Sequence, residues 1–240
     1  MSAIEWYGYG ALLAAALVGF WFLWRRLRAA CETANVIAWG SVWLNRLDGL
    51  NRLLCRRYHR LNHDSVSLPL QGGVLLASNH ASGLDPLLII AAVQRPVRFI
   101  IAQEEYDRFG LNWLFRALGC IPVSRDQRPE FALRIALRAL DAGEVVALFP
   151  HGGIHLDTDP PRALKAGVVR LAALSGCPIY PLRITGIKGA GQVLSAVVWR
   201  SHARLTGFPA LTCDGRTAED CLQALARVLN GPPNTVSTVP

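Results

Sequence analysis

No Cys-x-x-Cys pair, internal repeat or low-complexity run occurs in the 240 residues. The six cysteines, Cys31, Cys55, Cys120, Cys177, Cys213 and Cys221, are scattered along the chain. Neither a zinc site nor a disulfide framework is therefore expected, and reduced thiols facing the cytosol are the simpler reading. No His-Glu-x-x-His helix is present. The clusters His151, His155, Asp157 and His59, His63, Asp64 do not replace it, because the first lies in a loop and the second on a basic helical segment. No metal ligands are expected. The formal net charge of +8 would admit nucleic acid, but no recognition helix or aromatic-rich RNA motif accompanies it, so nucleic acid is not expected as a partner. The N-terminal apolar run also lacks a basic start and a small-residue cleavage site, which argues against a removable secretory signal.

That run is the most distinctive of the features that are present. Ile4 to Trp24 reads IEWYGYGALLAAALVGFWFLW, and as a helix it would rise roughly 30 Å, the thickness of a bilayer core. Trp6, Tyr7 and Tyr9 stand near one end and Trp21 and Trp24 at the other, followed by Arg25, Arg26 and Arg28. Aromatic rings favour the two interfaces and arginines the cytoplasmic side, so a single transmembrane helix is expected, with everything after Arg25 cytoplasmic. Trp39, Trp43, Leu47, Leu50 and Leu54 then recur at helical spacing, with Arg46, Arg52, Arg56, Arg57 and Arg60 interleaved or following. This predicts a basic amphipathic helix lying among anionic headgroups, to which the planar guanidinium is well matched. Residues 1–62 thus read as anchor and interfacial helix, and 63–240 as one catalytic-sized domain.

From Gly72 onward, short apolar strands alternate with helical stretches, the pattern of an α/β domain with a central mixed sheet flanked by helices. Strands are expected at Val74 to Ser78, Val97 to Ala102, Cys120 to Ser124, Val145 to Phe149 and Ile179 to Ile184. Helices are expected at Pro86 to Val93, Leu111 to Leu118, Pro129 to Ala142 and Ala163 to Leu174. Later strands are placed at Val193 to Trp199 and Ala203 to Leu205. A last helix, Ala218 to Leu229, is opened by Thr217 and Asp220 and closed by Gly231, Pro232 and Pro233.

The first strand runs into Ser78-Asn79-His80-Ala81-Ser82-Gly83-Leu84-Asp85-Pro86. Pro86 fits the first position of a helix and biases Asp85 toward an extended conformation just before it. The small residues between let the loop fold back until the Asp85 carboxylate reaches one nitrogen of His80. Such a pair fixes the imidazole tautomer and stabilises the imidazolium while the other nitrogen takes a proton from a hydroxyl. Taken alone, a His-x4-Asp pair reads as a helix cap beside a satisfied loop histidine.

In company it reads differently. The Asn79-His80-x4-Asp85 block resembles the first signature of the glycerolipid acyltransferases, the lysophosphatidate acyltransferase family. Gly119-Cys120-Ile121-Pro122-Val123-Ser124-Arg125 matches the Gly-x-Ile-x-x-x-Arg block of that family, and Phe149-Pro150-His151-Gly152-Gly153 its Phe-Pro-Glu-Gly block. Pro178-Ile179-Tyr180-Pro181 matches a proline-bearing strand. The resemblance spans about Val74 to Leu182. It implies direct transfer of a fatty acyl group to a lysophospholipid hydroxyl, 1-acyl-glycerol-3-phosphate foremost, giving phosphatidic acid. The implied donor is acyl-coenzyme A or acyl-carrier protein, with no cofactor beyond that co-substrate and with membrane lipids as surroundings. His80 and Asp85 inherit the catalytic roles and Arg125 a phosphate grip.

His151 departs from the family's glutamate, which opens the acceptor to other lysolipids. It also leaves open a non-catalytic lipid-binding relative. His151 can still donate to a phosphate or headgroup, and Gly152 and Gly153 can present backbone N–H groups to a developing oxyanion. Arg162 and Lys165 lie downstream, where a second phosphate contact or a solvated helix face would each account for them.

Overall fold

The computed structural model describes residues 3–64, 66–124 and 129–230, with the side chains of 3–8, 10, 11 and 129 outside the description. The chain divides into two compact units, Met1–Leu53 and Leu54–Pro240, a division earlier than the 62/63 boundary read from the sequence.

In the first unit, helix α1 (Ala3–Ala34) turns back through residues 35–41 into α2 (Val42–Leu53). Asn35 and Asn45 hold the turn: Asn35 donates to the Asn45 carbonyl at 2.8 Å, and their side-chain oxygens accept from the N–H groups of Ile37 and Trp39. Gly49 lets the helices approach, since a Cβ there would stand 1.8 Å from the Cys31 carbonyl oxygen. The packed face of α2 carries Leu44, Asp48, Gly49 and Arg52. Arg52 therefore does not reach outward as the amphipathic reading expects; it is buried in a 2.7 Å ion pair with Asp48, because a buried guanidinium requires an anionic partner. Trp43 and Leu50 remain exposed.

α1 leaves Leu12, Leu13, Leu17, Phe20 and Leu23 59–70% exposed. Among the described residues, however, no helix is long and apolar enough to cross a membrane. The expected transmembrane helix is accordingly not supported among the described residues, and Arg25, Arg26 and Arg28, which follow the apolar run, continue the same helix α1. The side chains of Trp6 and Tyr7, expected at an interface, lie outside the described residues.

The second unit opens with a π-helical turn, Leu54–Tyr58, and the short strand β1 (Asn62–His63). It continues through β2 (Val74–Ser78), α3 (Asp85–Ala92), β3 (Val97–Ala102), α4 (Gln103–Tyr106), α5 (Asn112–Ala117), β4 (Ile121–Val123), α6 (Pro129–Asp141) and β5 (Val145–Leu148). It ends with α7 (Gly167–Ser175), β6 (Ile179–Thr185), α8 (Ser195–Val198), β7 (Arg204–Gly207) and α9 (Ala218–Leu229). The seven strands form one sheet in the order β1-β7-β6-β2-β5-β3-β4. Strands β6, β2, β5, β3 and β4 are mutually parallel, β7 is antiparallel to β6, and β1 is parallel to β7, so the sheet is mixed as expected.

β2 is buried at every position, which fits the centre of a parallel sheet covered on both faces. Leu75 and Ala77 point into a core with Ala132, Ala136 and Leu140 of α6, Val168 and Leu171 of α7, and Leu225 of α9. Connections β4-α6-β5 and β5-α7-β6 step across the sheet in one direction and β2-α3-β3 in the other. Right-handed crossovers then place α3 on the opposite face, consistent with its absence from that core. The chain leaves β2 in one direction, across β5 to β3, and leaves the adjacent β5 in the other, across β2 to β6. The carboxyl end of β2 is thus a topological switch point, where open α/β sheets hold their ligands.

Several local expectations are corrected. Val193 to Trp199 holds helix α8 in place of a strand: a short apolar run has no period to separate the two, and β7 already occupies the β6 edge where a further strand would pair. Helix α7 starts at Gly167, later than Ala163. Cys213 and Cys221 form a disulfide, against the all-thiol reading; eight residues of sequence bring their Cα atoms to 5.7 Å, within bridging range. The Thr217 cap forms as expected, accepting from the Asp220 N–H at 3.1 Å. The Gly231-Pro232-Pro233 stop lies outside the described residues.

Candidate active site

His80 emerges from the carboxyl end of β2. The preceding Asn79 is buried, and its side chain pairs like a peptide with Ile184 of β6, donating to the carbonyl at 2.9 Å and accepting from the N–H at 2.7 Å. The amide thus extends the β2–β6 ladder by one rung beyond the strand and fixes where the chain turns away.

Asp85 lies fully buried in the first turn of α3. This corrects the extended conformation expected before Pro86. It does not cap its own helix either; Leu84 occupies that position without a side-chain cap. Its carboxylate reaches back instead. Oδ2 accepts from His80 Nδ1 at 2.9 Å and from the N–H groups of Ala81 at 2.6 Å and Ser82 at 2.9 Å, and Oδ1 accepts from the Ser82 hydroxyl at 3.1 Å. A carboxylate engaged in this way is a fixed anion, and it assigns the Nδ1 proton to the imidazole. The lone pair is left on Nε2, which has no protein partner among the described residues. The ring plane is set by stacking: His80 lies on Phe149 at 4.0 Å between centroids, and Phe149 on Phe99 at 6.1 Å. His80 retains 18% side-chain exposure, so the ring is reachable from outside while resting on a rigid backing.

Segment 189–193 closes over the loop from behind. Gly191 donates to the Ala81 carbonyl at 2.8 Å and Gly83 to the Gln192 carbonyl at 3.0 Å. A Cβ on Gly83 would stand 2.3 Å from the Val193 carbonyl oxygen. Gly83→Ala should therefore part the two loops at a cost of about 1–3 kcal/mol, read as a lower midpoint of thermal unfolding together with reduced turnover.

Beyond β5, Gly152 sits at φ +73°, and its N–H is donated to the Phe149 carbonyl at 2.9 Å. It is therefore not the donor to an oxyanion that the sequence suggests. The Gly153 N–H has no acceptor among the described residues, and His155 two positions on donates its N–H to the His80 carbonyl at 2.7 Å, binding this turn to the His80 loop. Lys165 lies against Gly152: a Cβ there would meet Lys165 Nζ at 2.6 Å. A residue better read from the sequence as part of a solvated helix face thus places an ammonium over the turn.

His151 is buried, with Nε2 bonded to Asn230 Oδ1 at 3.0 Å and its ring stacked on His155 at 4.7 Å. Burial depresses its pKa, aided by His155 and Arg162 and opposed by the Asn230 hydrogen bond and by Asp157. Asp157 pairs with Arg183 at 2.7 Å, and Arg183 also donates to the Leu229 carbonyl. Asn230 and Arg183 carry no motif signal; only the fold brings α9 and β6 to this turn. Among the described residues, no group of three or more His, Cys, Asp or Glu is placed to hold a metal ion. Arg125 lies outside the described residues. β4, which precedes it, opens at the same carboxyl edge of the sheet as β2 and β5.

His59 is likewise fully buried with its pKa depressed by burial. For both histidines the folded state binds its proton less tightly than the unfolded chain does, so acid favours unfolding. Stability should fall as pH drops from 6.5, the ordinary value of both groups, and level off below their folded pKa values. Thermal unfolding followed across this range checks the slope, and His151→Gln should flatten it.

The acyltransferase family model matches residues 59–185, from just after the π-helical turn through the end of β6. The chain belongs to the acyltransferase family. Among relatives of this chain, the 1-acyl-sn-glycerol-3-phosphate acyltransferase of Bacillus subtilis is 22% identical over 125 residues, covering 52% of this chain and 61% of the relative. A probable 1-acyl-sn-glycerol-3-phosphate acyltransferase of Mycoplasma pneumoniae is 30% identical over 126 residues, covering 48% of this chain and 46% of the relative. The matching stretch therefore spans about half to three-fifths of these curated relatives. The fold is shared with the crystal structure of the 1-acyl-sn-glycerophosphate (LPA) acyltransferase, PlsC, from Thermotoga maritima. The TM-score is 0.60 at 21% identity, over 79% of this chain and 78% of that one.

Proposed function

We propose that this acyltransferase moves a fatty acyl chain from acyl-coenzyme A or acyl-carrier protein to the free hydroxyl of 1-acyl-glycerol-3-phosphate, forming phosphatidic acid. The observation that carries the reading is the anchored His80–Asp85 pair with Nε2 unpartnered at the switch point of the sheet. Nε2 takes the acceptor O–H proton as the oxygen attacks the thioester carbonyl. The carbonyl electron pair moves to oxygen and is met by the Gly153 N–H. Collapse expels the thiolate, which recovers the proton from the imidazolium. No acyl-enzyme forms.

Arg125, by its motif position, and Lys165, by its place over Gly152, supply the cations for the acceptor phosphate. His151, neutral when its pKa is depressed, brings no negative charge where the family has glutamate. It pairs with Asn230 in the wall of the site, and this favours a different lysolipid acceptor as the second reading. The exposed apolar face of α1 and the exposed Trp43 and Leu50 of α2 seat the first unit on a lipid surface, with Arg25, Arg26 and Arg28 toward anionic headgroups. That arrangement puts the enzyme at the membrane that holds its acceptor.

Mass spectrometry of lipids formed from a panel of lysolipids, offered with each donor, tests the reading. Phosphatidic acid as the dominant product supports it. Acylation confined to a lysolipid with another headgroup moves the assignment to that acceptor, and no acylated product from any pair removes it.

A further inference from the structure

One face of the α/β unit remains unused by the chemistry described so far. Leu194, Val198 and Trp199, in and around α8, are 62%, 67% and 47% exposed, while Ala196 between them is fully buried. Leu194 and Val198 stand four residues apart across one helical turn, so they project on the same side. The Tyr58 hydroxyl donates to the Val198 carbonyl at 2.6 Å, and His59 Nε2 bonds the Val197 carbonyl at 3.1 Å. The π-helical turn is thereby clasped to α8. Behind it the Trp199 ring rests on Gly189, where a Cβ would stand 2.7 Å from the ring.

The two segments that meet at this apolar face carry charge of one sign. Residues 54–63 and 186–202 contain Arg56, Arg57, Arg60, Lys188 and Arg200 and no aspartate or glutamate. All five cations are exposed. Exposed aliphatic and aromatic side chains on segments that bear exposed cations and no anions fit an anionic bilayer: the apolar groups enter the acyl boundary and the cations meet the phosphates. The same segment is tied to the catalytic loop through Gly191 to Ala81 and Gly83 to Gln192.

We infer that α8 and the segment before it form a membrane-docking face of the α/β unit, which seats on anionic lipid and presents the His80 loop to the bilayer. Its purpose rests on the acyl-transfer reading, since an acceptor and product that are lipids must enter and leave at a lipid surface.

The test uses the full chain with vesicles of phosphatidylcholine, with and without phosphatidylglycerol. Amide hydrogen exchange over residues 192–200 should slow on vesicles containing phosphatidylglycerol. The double variant Leu194→Asp/Val198→Asp should lower partition onto them by about tenfold or more. It should raise KM for a vesicle-borne acceptor and leave kcat on a water-dissolved short-chain acceptor unchanged. Both positions are exposed, so an unchanged thermal midpoint will show that the variant folds. Exchange over 192–200 that ignores vesicles overturns the inference, as does protection of this segment by an acidic carrier protein in place of lipid. Failure of the wild type to acylate any acceptor would remove the acyl-transfer reading while leaving the exchange and partition results intact, so the two failures are distinguishable.

Discussion

Replacing His80 with alanine should lower kcat for acyl transfer by about 10²–10⁴-fold, the range contributed by a positioned general base. The estimate follows from the geometry of the ring. Nδ1 is committed to Asp85, the plane is held between the loop and Phe149, and Nε2 alone is free to accept a proton. The side chain is not a keystone of the core. With 18% of it exposed, its removal leaves no large buried cavity, and the thermal midpoint should move by no more than a few degrees. A steady-state comparison with the wild type, accompanied by thermal unfolding, separates the two effects. A variant that unfolds together with losing activity would show His80 to be structural.

Asp85 should give a different pattern, because its carboxylate does two jobs. Asp85→Asn keeps the shape. The Ala81 and Ser82 N–H groups both point at Oδ2, so the amide oxygen must take that place and the amide nitrogen turns to the Ser82 hydroxyl, which can accept from it. The oxygen therefore still faces His80 Nδ1 and the tautomer survives. Only the negative charge opposite the imidazolium is lost, and kcat should fall by about 10²-fold or more with little change in stability. Asp85→Ala removes the acceptor altogether. It leaves the Ala81 and Ser82 N–H groups without an acceptor in a buried loop, each costing about 1–3 kcal/mol, and the Ser82 hydroxyl proton loses its acceptor as well. Activity and fold should then fail together. Equal stability for the two variants would show that the loop does not depend on the carboxylate, and wild-type turnover in Asp85→Asn would show that the charge is not needed.

What could be read from the sequence follows the range of the interactions concerned. The unbroken apolar run of β2 and the Thr217 cap of α9 are specified by neighbours in the chain, and each lies where its local pattern places it. His80 and Asp85 stand five positions apart with three small residues between them, so the closure of the pair was also legible, although Asp85 is helical and not extended. Interactions across the chain left no such trace. Asn79 meets Ile184 at a separation of 105 residues and His151 meets Asn230 at 79. Gly83 is required by a carbonyl at Val193. In each case the partner is chosen by the strand order, which places β6 beside β2 and brings α9 over the sheet. The arginine at 52 misled for a related reason: its position on a basic stripe is visible, whereas its burial against Asp48 depends on which face of α2 packs.

The most direct measurement is a single-turnover reaction of the purified protein with acyl-coenzyme A, sampled for intact protein mass, free thiol and lipid products, with and without 1-acyl-glycerol-3-phosphate and beside His80→Ala. Direct transfer under His80 predicts free thiol and phosphatidic acid appearing one for one, only when the acceptor is present, with the protein mass unchanged and the variant silent. A protein that gains an acyl group before any lipid is added, or a His80→Ala variant that forms the ester at the wild-type rate, would contradict it.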